Sequence, residues 1–212
     1  MKMPYAYTGT VTDNQDEDKM NRVKVTAQLE GESVSFWLPC LTAAAGDGIG
    51  FSALPDIGAQ VLVLAFGKGR GEQVVVGSFW SDNCAPPETG ENTDADLNAD
   101  GKNSLTFFKS KSGIMLICDD TDGKEKLQLI GAGGGSRIEL DCENEAMNME
   151  SDKDITLGAK GNVTIQSEKE ISLTAKKALS IKCDELNVKS DKDATIESGK
   201  NMTLKGSSIA LN

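Results

Sequence analysis

The amino-acid sequence predicts an all-β protein in two parts: a small N-terminal barrel, then an intertwined trimeric triple-stranded β-helix, a β-prism of octad repeats. Three observations predict it. Apolar and polar residues alternate in short stretches of the first 82 residues, the period-two pattern of half-buried strands. A polar stretch, Ser81 to Asn103, follows, with Pro86-Pro87 and almost no apolar side chain. From Ile138 to the last residue, apolar pairs return about every eight residues. The expected divisions are a barrel over 1–82, a linker over 83–103 and the trimeric prism over 104–212.

The barrel elements come in order. Tyr5 to Val11 is the first strand, and Asn14 to Asp18 an acidic turn. Val23, Val25, Ala27 and Leu29 alternate with Lys24, Thr26 and Gln28. Glu30-Gly31 turns the chain into Val34, Phe36 and Leu38, so these two runs form a hairpin. A Gly-rich loop spans Ala43 to Gly50. Val61 to Phe66 is apolar at every position, which predicts burial on both faces. Gly67-Lys68-Gly69-Arg70-Gly71 returns it into Val74 to Trp80. Five short strands with Gly-rich turns predict a Greek-key barrel of the OB-fold type.

Beyond the linker, Gly113 to Cys118 joins Lys126 to Ile130 through Asp119 to Gly123, and Gly131 to Ser136 leads into Arg137 to Leu140. Then the repeat takes over. Its pairs are Ile138/Leu140, Met147/Met149, Ile155/Leu157, Val163/Ile165, Ile171/Leu173, Leu179/Ile181, Leu186/Val188, Ala194/Ile196, Met202/Leu204 and Ile209/Leu211. The steps between them are 9, 8, 8, 8, 8, 7, 8, 8 and 7 residues. A small residue follows two positions after each of the first nine pairs: Cys142, Ser151, Ala159, Ser167, Ala175, Cys183, Ser190, Ser198 and Gly206. The rest of each unit is charged or Gly, which predicts a corner.

An eight-residue unit is too short for a strand-helix or ankyrin-type repeat. One strand with two large apolar groups cannot make a core from a single chain. Three chains wound about one axis bury all three stripes, with the small residues where the chains crowd, and pair every strand edge. At ~4.8 Å per layer the ten units make a rigid prism on the order of 50 Å long. The expected trimer-core residues are Ile155, Leu157, Val163, Ile165, Ile171, Leu173, Leu179, Ile181, Leu186, Val188, Met202 and Leu204.

Composition excludes several functions. Histidine is absent, which removes Ser-His-Asp, Cys-His and His-zinc schemes. Acidic residues number 33 and basic ones 22, a net charge of −11, and no basic patch offsets it for a nucleic-acid partner. The content is 38% hydrophobic and 5% aromatic, lean for one compact globule and suited to a thin repetitive core. The N-terminus has no apolar signal segment, and no run approaches the length of a membrane span. Five scattered cysteines, Cys40, Cys84, Cys118, Cys142 and Cys183, read as reduced thiols in a cytosolic protein, packed as small buried hydrophobes.

Three motifs invite sharper readings. Asp119-Asp120-Thr121-Asp122-Gly123-Lys124-Glu125 clusters carboxylates but lacks an EF-hand spacing, so a hairpin turn is expected in place of a calcium site. Gly131 to Ser136 lacks the Lys-Ser/Thr ending of a phosphate loop. Lys68 and Arg70 are only two cations, with no aromatic platform evident nearby, and read as a solvated turn or protein contact. No catalytic, cofactor or metal residues are expected.

The order barrel, linker, octad prism resembles the central spike of contractile injection machines. That family includes the phage baseplate assembly protein V and the spike half of valine-glycine repeat protein G of type VI secretion. Pro55-Asp56-Ile57-Gly58-Ala59-Gln60-Val61-Leu62-Val63 is similar to the family's Pro-x-x-Gly-x-x-Val-x-Val strand. Gly77-Ser78-Phe79-Trp80 is similar to its Gly-Ser-aromatic end. Lys109 to Gly113, followed by Asp119 to Glu125, looks like the start of the spike. The sequence departs from the pattern at Gly67 to Gly71, where the family often has Gly-Asp and a following Pro. The sequence starts at the barrel, so the hub is expected to be a separate protein; the linker is too short for a lysozyme domain, and without histidine no His-x-His iron tip is expected.

The resemblance implies a structural homotrimer, not an enzyme, that punctures a target envelope when a sheath contracts. It implies bacterial cytoplasmic assembly without a signal peptide, into a virion tail or injection particle. A separate hub would dock at the barrel. A tip protein of the proline-alanine-alanine-arginine class would cap the far end at Ile209, Leu211 and Asn212, with effector cargo as a further partner. The alternative reading is a trimeric tail fibre or adhesin that binds surface glycan. The absence of any Phe, Tyr or Trp after Phe108 argues against glycan binding along the shaft.

Overall fold

The computed structural model describes residues 4–67, 72–82, 84–88 and 104–210. The described residues contain strands and no α-helix. The chain divides into two units, Met1–Thr156 and Leu157–Asn212.

The first unit opens with β1 (Tyr5–Asp13), β2 (Arg22–Leu29) and β3 (Glu32–Pro39). A two-residue hairpin, β4 (Ala45–Gly46) and β5 (Ile49–Gly50), sits in the Gly-rich loop. Then come β6 (Gln60–Ala65) and β7 (Gln73–Phe79). The sheet order is β3-β2-β1-β6-β7. Cys40 and Val75 form a parallel bridge, and Leu41 donates its N–H to the Val75 carbonyl at 2.7 Å. The two sheet edges therefore meet, and the five long strands close as an OB barrel.

Turn chemistry fixes the register. Glu30 and Gly31 both have positive φ, 53° and 87°, which matches a tight hairpin turn to the strand twist. Gly58, at φ 92°, lets the Pro55 to Gly58 segment fold back. Its N–H reaches the Val11 carbonyl at 2.8 Å, and Val11 N–H reaches Ala59 O at 2.9 Å. Asp16 organises the acidic turn between β1 and β2. Its carboxylate accepts from the N–H of Met20 at 2.8 Å and from the Arg22 guanidinium at 2.5 Å.

The barrel core is Val11, Val23, Val25, Leu38, Val61, Val63 and Val75, with Tyr7, Phe36, Cys40, Leu54 and Ala59 packed against it. Each fully buried valine contributes about 1.5–3 kcal/mol over an exposed one. Tyr7 donates its hydroxyl to the buried Gln73. Burial, and secondarily Tyr5, push the Tyr7 phenol up.

The strand Val61 to Phe66 corrects the expectation of burial on both faces. Val61, Val63 and Ala65 are fully buried, whereas Leu62, Leu64 and Phe66 are exposed. A barrel strand has one inner and one outer side, so an uninterrupted apolar run still alternates in burial.

A second five-stranded sheet completes the unit. It is an antiparallel meander of β8 (Leu105–Lys109), β9 (Met115–Asp119), β10 (Lys126–Ile130), β11 (Ser136–Asp141) and β12 (Ala146–Ser151). Here a second expectation is corrected. Ile138/Leu140 and Met147/Met149 belong to β11 and β12 of this meander and do not open a prism. Their nine-residue step holds a full hairpin turn. Asp141 accepts from Asn144 N and Nδ2, both at 2.9 Å, and Glu145 takes φ 51°.

The cysteine expectation is also corrected. Cys84, Cys118, Cys142 and Cys183 are exposed and Cys40 is half-buried. Burial raises the Cys40 thiol. Cys118 lies on the outward side of β9, and Cys183 in a run with no cover within its own chain.

Candidate assembly surfaces

The octad run carries the first candidate surface. All twelve expected trimer-core residues are exposed, from 48% at Met202 to 81% at Val188. From Asp152 to Ala210 every residue is exposed and none lies in a strand. Ile209 is exposed as well. Leu211 and Asn212 lie outside the described residues.

The chain nevertheless keeps the octad beat. It bends at 152–153, 160–161, 168–169, 176–177, 184, 191–192, 199–200 and 207. Each bend follows immediately on the small residue of its unit. The serines have a local task there that the spacing alone did not reveal. Ser167 Oγ accepts from Lys169 N at 3.2 Å, Ser190 Oγ donates to Asp193 O at 3.1 Å, and Ser198 Oγ donates to Asn201 O at 3.0 Å. Such side-chain turns hold a corner open without a backbone ladder. The signal was present in the sequence as a recurrent small residue followed by Asp, Lys, Glu or Gly.

The meander adds a second apolar surface. Register places Cys118, Leu127, Leu140 and Met147 in one cross-strand row. Phe108, Leu116, Leu129, Ile138 and Met149 form the next row on the same face. Phe108, Leu116, Leu129, Ile138, Met147 and Met149 are all exposed. The opposite face carries the better-covered Ile117, Gln128 and Ile130. There Gln128 Nε2 donates to Glu139 at 2.7 Å. Leu129, Ile138, Met149 and Ile155 line an open apolar hollow of about 430 Å³ at the end of the sheet. Monomeric proteins in water rarely leave a contiguous apolar area of more than a few hundred Å² uncovered.

The barrel has a smaller third patch. Leu62, Leu64 and Phe66 on β6 and its continuation, and Val76 on β7, are exposed on the outer wall.

The remaining motifs take ordinary forms. Thr121 N donates to Asp119 Oδ1 at 2.9 Å, Lys124 N donates to Thr121 O at 2.8 Å, and Gly123 has φ 70°. This is a side-chain-braced hairpin turn. Gly131 to Ser136 is a second hairpin connection, closed by Gly131 N to Ser136 O at 2.8 Å. Lys68 and Arg70 lie outside the described residues, as does most of the 83–103 linker. An aromatic that the sequence reading did not place, Trp37, stands on the outer face of β3 opposite Lys24.

Comparison with known proteins bears on the barrel. Residues 7–80 match the family model of the type VI secretion system/phage-baseplate injector OB domain. No curated protein matches the chain.

Proposed function

We propose, on the premise that residues 7–80 belong to the phage-baseplate and type VI injector OB-domain family, that this chain is the homotrimeric central spike of a contractile injection machine. The family is structural, not enzymatic, and it supports a baseplate role for the chain.

One observation carries the finer reading. The octad pairs between Ile155 and Ile209 are exposed in the single chain while holding a regular corner every seven or eight residues. A lone chain gains nothing from such a pattern, because exposed apolar pairs cost solvation and unpaired strands lack ladder partners. Three copies wound together bury the pairs and pair the strands. The exposed rows of the meander would be covered in the same assembly.

The function is then mechanical. A rigid trimeric β-helix transmits the thrust of a contracting sheath to a small area of target envelope. The barrel docks on a separate hub, and its outer-wall leucines are available for that contact. The far end, around Ile209, Leu211 and Asn212, receives a tip protein of the proline-alanine-alanine-arginine class, which brings effector cargo.

The test is absolute mass in solution by light scattering on a size-exclusion column, with an unboiled SDS gel of the same fraction. A species of three times 22.5 kDa, 67.5 kDa, that resists SDS supports the reading. A 22.5 kDa monomer overturns it.

A further inference from the structure

The outer face of β2 and β3 has a composition unlike the rest of the barrel wall. Register sets Arg22 opposite Pro39, Lys24 opposite Trp37, Thr26 opposite Ser35 and Gln28 opposite Ser33. A groove of about 650 Å³ runs over it, lined by Asp18, Met20, Arg22, Lys24, Trp37 and Pro39, among others. Beside the indole lies a row of hydroxyls. Thr12 Oγ1 is 3.2 Å from Thr26 Oγ1, which is 3.0 Å from Ser35 Oγ. One wall is rigid, because Arg22 is held by both Asp16 and Asp18.

This is the face and the loop on which OB folds bind oligonucleotides and oligosaccharides. The charges choose between those ligands. Among the described residues lining the groove the cations are Arg22 and Lys24, and Arg22 is already committed to two carboxylates. Of the acidic turn before β2, Asp18 lines the groove itself, and Asp16 and Glu17 precede it directly in the chain. A phosphate backbone is repelled there, since its affinity depends on several unpaired cations. A sugar needs no such field. Its apolar ring face stacks on an indole, and its hydroxyls exchange hydrogen bonds with neighbouring hydroxyl, ammonium and carboxylate groups.

We infer that the β2–β3 face of the barrel is a binding site for a neutral or amino-sugar oligosaccharide, with Trp37 as the stacking platform and Lys24, Ser35 and Asp18 as polar contacts. The site goes beyond the spike reading and is independent of it, because all its residues come from one barrel.

The experiment titrates the full chain, in its native assembly, with an N-acetylglucosamine oligomer, a neutral glucan oligomer and a thymidine oligonucleotide. Tryptophan fluorescence and calorimetry are the readouts. Saturable binding of a glycan is expected, weakened about tenfold in Trp37→Ala, the size of one aromatic contact. Trp80→Phe should bind as the unaltered chain does. Lys24→Ala, a change on the outer strand face, should weaken binding several-fold and serves where Trp37→Ala does not fold. The inference is overturned if neither glycan saturates, if Trp37→Ala or Lys24→Ala binds unchanged, or if the oligonucleotide binds more tightly than the glycans. Oligomeric mass is measured in parallel, so a failed site is distinguished from a failed spike.

Discussion

Ile138 and Met149 stand directly opposite each other on β11 and β12, and both side chains face solvent. Leu140 and Met147 are paired two residues along. The two sequence repeats with the longest step are thus neighbours in one antiparallel sheet. Their shared face is apolar and uncovered.

Met149→Asp should therefore prevent assembly without unfolding the barrel. In a trimer the change places three like charges in a low-dielectric interface, where each uncompensated charge costs several kcal/mol. Light scattering should report monomer. Trp37 and Trp80 are the only tryptophans and both fall in the barrel region, so an unchanged emission spectrum should show that the barrel stands. An intact trimer would remove this face from the interface.

Ile171→Asp tests the octad stripe in the same way but far along the chain. Ile171 is half exposed, at 51%, in the single chain, so the monomer itself tolerates a polar residue there. Only an assembled core rejects it. The expected outcome is loss of the SDS-resistant species on an unboiled gel. An SDS-resistant trimer of the variant would show that the stripe faces outward.

Gly9 on β1 tests the barrel core. A Cβ there would lie 2.4 Å from Val25 Cγ1 and 3.0 Å from the Thr26 carbonyl. Backbone cannot yield cheaply, so Gly9→Ala should destabilise the barrel by roughly 1–3 kcal/mol, the usual cost of overpacking. Urea unfolding followed by tryptophan fluorescence should show a lower midpoint with little change in slope.

How much of this was legible in the sequence depended on whether one chain contains the reason. Val23 to Leu29 and Val34 to Leu38 were readable because both partners of the hairpin are local and the Glu30-Gly31 turn demands positive φ. Val61 to Phe66 misled because Leu62, Leu64 and Phe66 are apolar yet face outward, and an uninterrupted apolar run gives periodicity no sign of which side is the inner one. Ile138 and Met147 were misassigned because cross-strand neighbours and stacked repeats share one spacing. Trp37 went unplaced because the period-two pattern assigns the inward side of this hairpin, and Trp37 lies on its outer side opposite Lys24. The octad corners were legible in the charged remainder of each unit, but not the serine hydroxyls that brace several of them.

The β2–β3 turn offers a stabilising change. Glu30 holds φ 53°, a conformation costly for a side chain without a local hydrogen bond to reward it. Asn is the favoured residue at that position of a tight hairpin turn. Glu30→Asn should raise stability by about 0.5–1 kcal/mol, seen as a higher urea midpoint. A lower midpoint would mean that Glu30 makes a favourable contact worth more than the strain.

The Asp16–Arg22 pair couples barrel stability to pH. The Asp16 carboxyl is lowered from 3.8 to about 2, first by the hydrogen bond from the Arg22 side chain and then by the Met20 and Arg22 backbone N–H groups. A carboxyl whose folded-state value lies below its unfolded one favours the fold only while ionised. The contribution is complete above about pH 4, the unfolded value, and is lost as pH falls toward about 2. The melting temperature followed by tryptophan fluorescence should fall across that window. Asp16→Asn should melt lower at neutral pH and lose much of the slope between those limits, since it cannot ionise. Parallel pH curves for the variant and the unaltered chain would place the acid sensitivity elsewhere than in the Asp16–Arg22 pair.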